Sequence, residues 1–84
     1  MKALVYVTLK PSVLDPQGKA VVHALHALGY VEATDVRVGK MIEIALAGQD
    51  RSAAARRVEQ MCETLLANTV IETYRFEIVQ DGDK

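Results

Sequence analysis

The chain changes its hydrophobic period four times in 84 residues, from two to 3.6 and back, twice over. Neither an all-helical bundle nor a pure β-sandwich accommodates that order. It demands a sheet whose strands are interleaved with two helices. Lys2 to Leu9, KALVYVTL, puts Ala3, Val5, Val7 and Leu9 on one face and Leu4, Tyr6 and Thr8 on the other. Lys10-Pro11-Ser12 ends this strand, because proline donates nothing to a ladder. Asp15-Pro16 then starts a helix over about residues 16–28, with Asp15 as cap and Val21, Ala24, Leu25 and Leu28 as its apolar stripe. Gly29 fits a left-handed stop, with Tyr30 closing a Schellman ending.

Val36 to Leu46 has a hairpin pattern centred on Gly39. A three-residue loop pairs Val38 with Ile42, Val36 with Ile44 and Arg37 with Glu43, which leaves one clean apolar face and an outward ion pair. The second helix covers Asp50 to Leu66, with Ala54, Val58, Met61, Cys62 and Leu65 as its stripe and Asn68 as a left-handed stop. Its charges oppose the helix dipole, arginines early and glutamates late, at about 0.3–1 kcal/mol each. Burial of Val58, Met61 and Leu65 returns roughly 1.5–3 kcal/mol each, so the helix forms in context. Ile71 to Val79 is the last strand, with Tyr74, Phe76 and Ile78 on one face and Arg75 and Glu77 on the other. A single domain over 1–84 follows, with a frayed tail at 79–84. The expected fold is α+β: a ferredoxin-like β-α-β-β-α-β sandwich with a four-stranded antiparallel sheet and both helices on one face. Val5, Val7, Leu9, Val36, Val38, Ile42, Ile44 and Leu46 should meet the helices. The uncovered face carries Leu4 and Tyr6, which makes it a candidate oligomer face.

Chemistry is sparse. Ten Lys and Arg against 11 Asp and Glu give a net charge of −1, so no global field draws nucleic acid or an anionic membrane. The longest apolar runs are far short of a membrane span. No basic-then-apolar leader precedes the first strand, so a cytoplasmic location is expected. One cysteine excludes an internal disulfide, and with two histidines a closed zinc site is out of reach. His23 and His26 lie on a solvated helix face, and Cys62 reads as a small core hydrophobe. Gly18 costs roughly 1 kcal/mol of helix propensity, which suggests a close backbone approach there. The free N–H groups beside it, with Lys19, also suit an anion. Asp35, Glu43, Glu72 and Glu77 are scattered and form no acid/base couple. RNA recognition on such a sheet needs central-strand aromatics that the 36–46 segment lacks. These residues describe a binding or assembly module with no catalytic, cofactor-binding or metal constellation.

Four stretches carry a family resemblance: VYVTLKPSVLDPQGKAV (Val5–Val21), ALHALGY (Ala24–Tyr30), DVRVGK (Asp35–Lys40) and CETLLANTVIETYRFEI (Cys62–Ile78). In this order they resemble the PurS family, the small subunit of phosphoribosylformylglycinamidine synthase, over nearly the whole chain. The alanine- and arginine-rich stretch Gln49 to Arg57 departs from that family's commonly acidic helix start. The resemblance implies a non-catalytic subunit of purine biosynthesis that bridges a glutaminase and a large ATP- and magnesium-dependent synthetase and assists ammonia transfer. It also implies a homo-oligomer, dimer or tetramer. Family-like positions are Lys10, Asp15, Pro16, Gly18, Lys19, Gly29, Arg37, Gly39, Lys40, Asn68 and Tyr74. Asp15, Pro16, Gly29, Gly39 and Asn68 have local backbone reasons. Lys10, Lys19, Arg37, Lys40 and Tyr74 have none and are the candidate partner contacts. The competing reading is a small-ligand-binding regulatory module of the ACT type.

Overall fold

β1 (Lys2–Leu9) is the central strand of the sheet. The structure, a computed structural model, describes residues 1–80. β1 is followed by α1 (Pro16–Ala27), β2 (Lys40–Ala45), α2 (Arg51–Met61) and β3 (Glu72–Val79). β2 and β3 flank β1, both antiparallel to it, in the order β2-β1-β3. The registers run from Lys2 opposite Ala45 to Val7 opposite Lys40, and from Lys2 opposite Val79 to Leu9 opposite Glu72. The alternation read from the sequence is realised. Ala3, Val5 and Val7 are buried and point towards α2, whereas Lys2, Leu4 and Tyr6 lie on the opposite face. Val58 and Cys62 fill the centre of this core with Met1, Ala67 and Ile78, and Ile42, Ile44, Tyr74 and Phe76 pack around it. The last expected strand starts one residue later than its pattern. Of the tail expected to fray at 79–84, Val79 closes β3 and residues 81–84 lie outside the described residues.

Both ends of α1 form as local chemistry dictates. The Asp15 side chain accepts from the Gly18 N–H, and Pro16 opens the first turn. At the far end Tyr30 N–H donates to Leu25 O (2.9 Å) and Gly29 N–H to His26 O (3.0 Å), the Schellman pair. Gly29 sits at φ 98°, where a side chain would be strained.

Three expectations fail. The first is the four-stranded sheet with both helices packed on it. Among the described residues three strands form, and residues 33–39 pass with neither turn nor bend into β2. Glu43 therefore lies opposite Leu4 and bridges to Lys2 at 3.3 Å, instead of pairing with Arg37. Gly39 is no hairpin turn: its φ is not positive, and its backbone lies so close to β1 that a Cβ would come within 2.6 Å of the Val7 carbonyl oxygen. The cause is competition. Val36, Arg37 and Val38 are all engaged by the β1–α1 junction, so they do not fold back on β2. Val36 and Val38 consequently stay outside the core.

α1 also stands off the sheet. Only Gly18 and Val22 of its residues are buried, and Leu28 is 73% exposed. The radius of gyration is 16.3 Å, against about 12 Å for a compact chain of this length.

The second and third failures concern the end of α2. Residues Cys62–Leu66 form a π-helical turn, closed by Ala67 N–H on Cys62 O (3.1 Å). The wider turn carries Leu65 outward, 82% exposed, and turns Leu66 onto the core in its place. Asn68 is not left-handed. Its side-chain oxygen accepts from Val70 N–H, and its carbonyl accepts from Ile71 and Glu72, so it builds the turn into β3.

Candidate functional site

The densest polar geometry lies where β1 hands over to α1. A turn at Lys10–Val13 is closed by Val13 N–H on the Lys10 carbonyl (2.9 Å). Three consecutive residues of the incoming limb hold it. The Val36 carbonyl abuts Gly18 so closely that a Cβ there would overlap it, so the close approach expected at Gly18 is real. Arg37 donates from one guanidinium nitrogen to the carbonyls of Lys10 and Val13, each at 2.9 Å. Val38 N–H donates to Asp15 Oδ2 at 2.7 Å, while Asp15 Oδ1 accepts from Gly18 N–H at 2.9 Å.

Asp15 is thus buried with its two oxygens assigned to two different segments. The Gly18 N–H, then the Val38 N–H, hold its carboxyl below the usual aspartate value, with Arg37 contributing at longer range. The same arrangement answers the anion reading, because the Gly18 donor is taken by the chain's own carboxylate.

Two clefts meet at Asp15. One of about 340 Å³ is bordered by Leu14, Lys19, Asp35 and Arg37. Its neighbour, about 240 Å³, is bordered by Thr8, Gln17, Lys40 and Glu72. The structure therefore gathers four of the five candidate contacts, Lys10, Lys19, Arg37 and Lys40, around one junction.

Tyr74 stands apart under α2, half-buried. Its hydroxyl donates to Glu63 Oε2 at 2.7 Å, which pushes its pKa up to about 12. Leu4 and Tyr6 are half-buried on the outer sheet face. There the Arg75 guanidinium sits 4.0 Å over the Tyr6 ring and Tyr6 OH donates to Glu77 (3.2 Å). Lys2–Glu43 and Thr8–Thr73 complete a polar mesh on this face.

His26 donates to the Ala33 carbonyl (2.6 Å), and His23 is exposed. Cys62 is buried, and burial first, then the Glu63 and Glu59 charges, push its thiol up, away from the reactive thiolate. Among the described residues no three His, Cys, Asp or Glu groups cluster as metal ligands do. Among the described residues no helix is long and apolar enough to cross a membrane.

Sequence reasoning gave Asp15 only its capping role. The second bond, to a residue 23 positions away, has no local signal.

A small α+β subunit whose polar groups hold its own loops in place, and whose first helix lies open, is the class these features define. The PurS family profile, described as phosphoribosylformylglycinamidine (FGAM) synthase, matches residues 2–80. The PurS subunit of Bacillus subtilis is 57% identical over 77 residues, spanning 92% of this chain and 90% of that one. The subunit of Methanocaldococcus jannaschii is 39% identical, over 92% and 93%. Among solved structures, B. subtilis PurS superposes with a TM-score of 0.81 at 56% identity over 94% of this chain and 98% of that one. A chain of the Thermotoga maritima PurLQS structure superposes at 0.84 and 27% identity, over 93% and 95%. The chain belongs to the PurS family. These relatives leave the ACT-type ligand-binding alternative without support.

Proposed function

We propose that the chain is the small, non-catalytic subunit of FGAM synthase in purine biosynthesis. It bridges the glutaminase and the ATP-dependent synthetase and assists ammonia transfer as formylglycinamide ribonucleotide becomes formylglycinamidine ribonucleotide. The observation that carries this reading is the family match from residue 2 to residue 80. The open build of the chain agrees with it: α1 presents Val21 and Leu28 to solvent, and Tyr30 and Val31 follow, also exposed. Exposed apolar residues gathered on one element mark an interaction surface.

Self-association covers this element, and the ferredoxin-like fourth strand belongs in the assembled state, on the free edge of β2. Leu4 and Tyr6 form a second candidate face, and Lys10, Lys19, Arg37, Lys40 and Tyr74 remain the candidate contacts to the larger subunits. ATP and magnesium act in the synthetase partner, and the chain itself holds no cofactor. It works in the cytoplasm, without nucleic acid or membrane. Sequestered transfer matters because ammonia released to neutral water is mostly protonated and no longer a nucleophile.

Reconstitution of synthetase and glutaminase with and without the chain tests the reading. Glutamine-driven amidine formation is expected to require the chain, while ammonium-driven formation is not. Equal glutamine-driven turnover in its absence overturns it.

A further inference from the structure

Three neighbouring residues, Val36, Arg37 and Val38, each grip a different part of the β1–α1 junction: one by close backbone approach to Gly18, one through two carbonyls, one through Asp15. From this geometry we propose that Asp15 and Arg37 are positioning residues for assembly, a two-part clasp that fixes the direction in which α1 presents its apolar stripe to a second copy of the chain. The inference rests on the self-association reading above and adds the device that makes it geometrically specific.

Lever arithmetic shows why a clasp is needed. α1 has 12 residues, so it is about 18 Å long. A swing of roughly 20° at its root moves its tip by about 6 Å, about one helical pitch. Since only Gly18 and Val22 of α1 are buried in its own chain, the root is where its direction is set. A fixed direction spares the partner the cost of ordering a loose arm on binding. The clasp is chemically tight. A carboxylate is the one side-chain group of this size whose two atoms both accept, and here each accepts from a different main-chain donor. Arg37 completes it by pinning the 10–13 turn through the carbonyls at both ends of the turn.

Asp15→Asn separates a clasp from a mere helix cap. Asparagine caps helices as well as aspartate does, so a capping role predicts an unchanged protein. Its amide offers only one acceptor atom, and the cap keeps that atom on the Gly18 N–H, so the Val38 N–H loses its partner. Arg37→Met, at an exposed side chain, tests the other half without endangering the fold. The readouts are the exchange rate of the Val38 amide and the self-association constant from sedimentation equilibrium, with circular dichroism to confirm that the helices persist.

In Asp15→Asn, Val38 exchange is expected to rise about ten- to a hundredfold, with β1 amides unchanged. Self-association should weaken about tenfold or more in both variants. Wild-type association in both variants overturns the proposal, even if Val38 exchange rises. A wild-type chain that sediments as a monomer at every concentration would instead sink the underlying self-association reading, and the clasp's role with it.

Discussion

Asp15 and Tyr74 are the two side chains whose ionisation is tied most directly to the fold, and they act at opposite ends of the pH scale. Asp15 is stabilised as the anion, first by Gly18 N–H and then by Val38 N–H, so its folded pKa lies below the usual 3.8. A depressed carboxyl contributes fully above the unfolded value and loses its contribution as pH falls through the folded one. The β1–α1 junction should therefore stay closed down to the ordinary aspartate range and loosen only below it. Val38 amide exchange followed into acid, against β1 amides as reference, checks this. Junction loosening that begins well above pH 3.8 would show that another group controls it.

Tyr74 runs the other way. Its hydroxyl donates to Glu63, which raises its pKa to about 12. The contribution of a raised group is present below the unfolded tyrosine value of about 10, and it is lost as pH rises through the folded value of about 12. Tyr74→Phe keeps the ring and deletes only that bond. It should cost about 0.5–1 kcal/mol in urea unfolding at neutral pH, at the low end because Glu63 is exposed. The difference from wild type should vanish by the top of that window.

At the scale of the elements, α1 and the 36–46 segment show opposite balances between local and distant chemistry. α1 was legible from sequence at both ends because its cap, its proline and its Gly29–Tyr30 ending are all satisfied within a few residues. The 36–46 segment was not. Its alternation fits a hairpin equally well, and the groups that decide against one, Asp15 and the carbonyls of Lys10 and Val13, lie more than 20 residues away in sequence. The candidate site follows the same division. Its basic residues are visible in the sequence, but the carboxylate at their centre shows there only as a helix cap.

The π-turn at Cys62–Leu66 is the other illegible feature, since a stripe at helical spacing points to Leu65 and the extra residue in the turn substitutes Leu66. Leu66→Ala should cost about 2 kcal/mol, the lower end for a partly buried leucine. Leu65→Ala should stay within about 0.5 kcal/mol. Equal losses from the two variants would mean that the helix continues in ordinary α geometry.

Seen as a whole molecule, the chain is two unequal parts: a sheet covered by α2, and an arm made of α1 and the limb that leads back to β2. The first part contains nearly all of the buried core, Val5, Val7, Val58 and Cys62 at its centre. The arm is held at its root by polar contacts and leaves Leu28 and Val31 each 73% exposed. An arm built this way adds little to the stability of its own chain, and its exposed apolar residues make it the surface best suited to association.

That asymmetry gives a prediction in which stability and association separate. Leu28→Lys exchanges an exposed apolar side chain at the end of α1 for a cation, which the helix dipole favours there. In the isolated chain the change should lie within about 0.5 kcal/mol of neutral, and helicity should be kept or raised. In the associated state the same lysine would be buried without a partner, and the association constant should fall about tenfold or more.

Melting temperature measured across a range of protein concentrations reads both effects at once, because association makes it rise with concentration. The wild type should show that slope. Leu28→Lys should flatten it while matching the wild type at the lowest concentration. A variant that melts lower at every concentration with the slope intact would place Leu28 in the chain's own fold. The arm would then be an ordinary packed helix, and the surface that brings copies together would have to be sought on the outer sheet face around Leu4 and Tyr6.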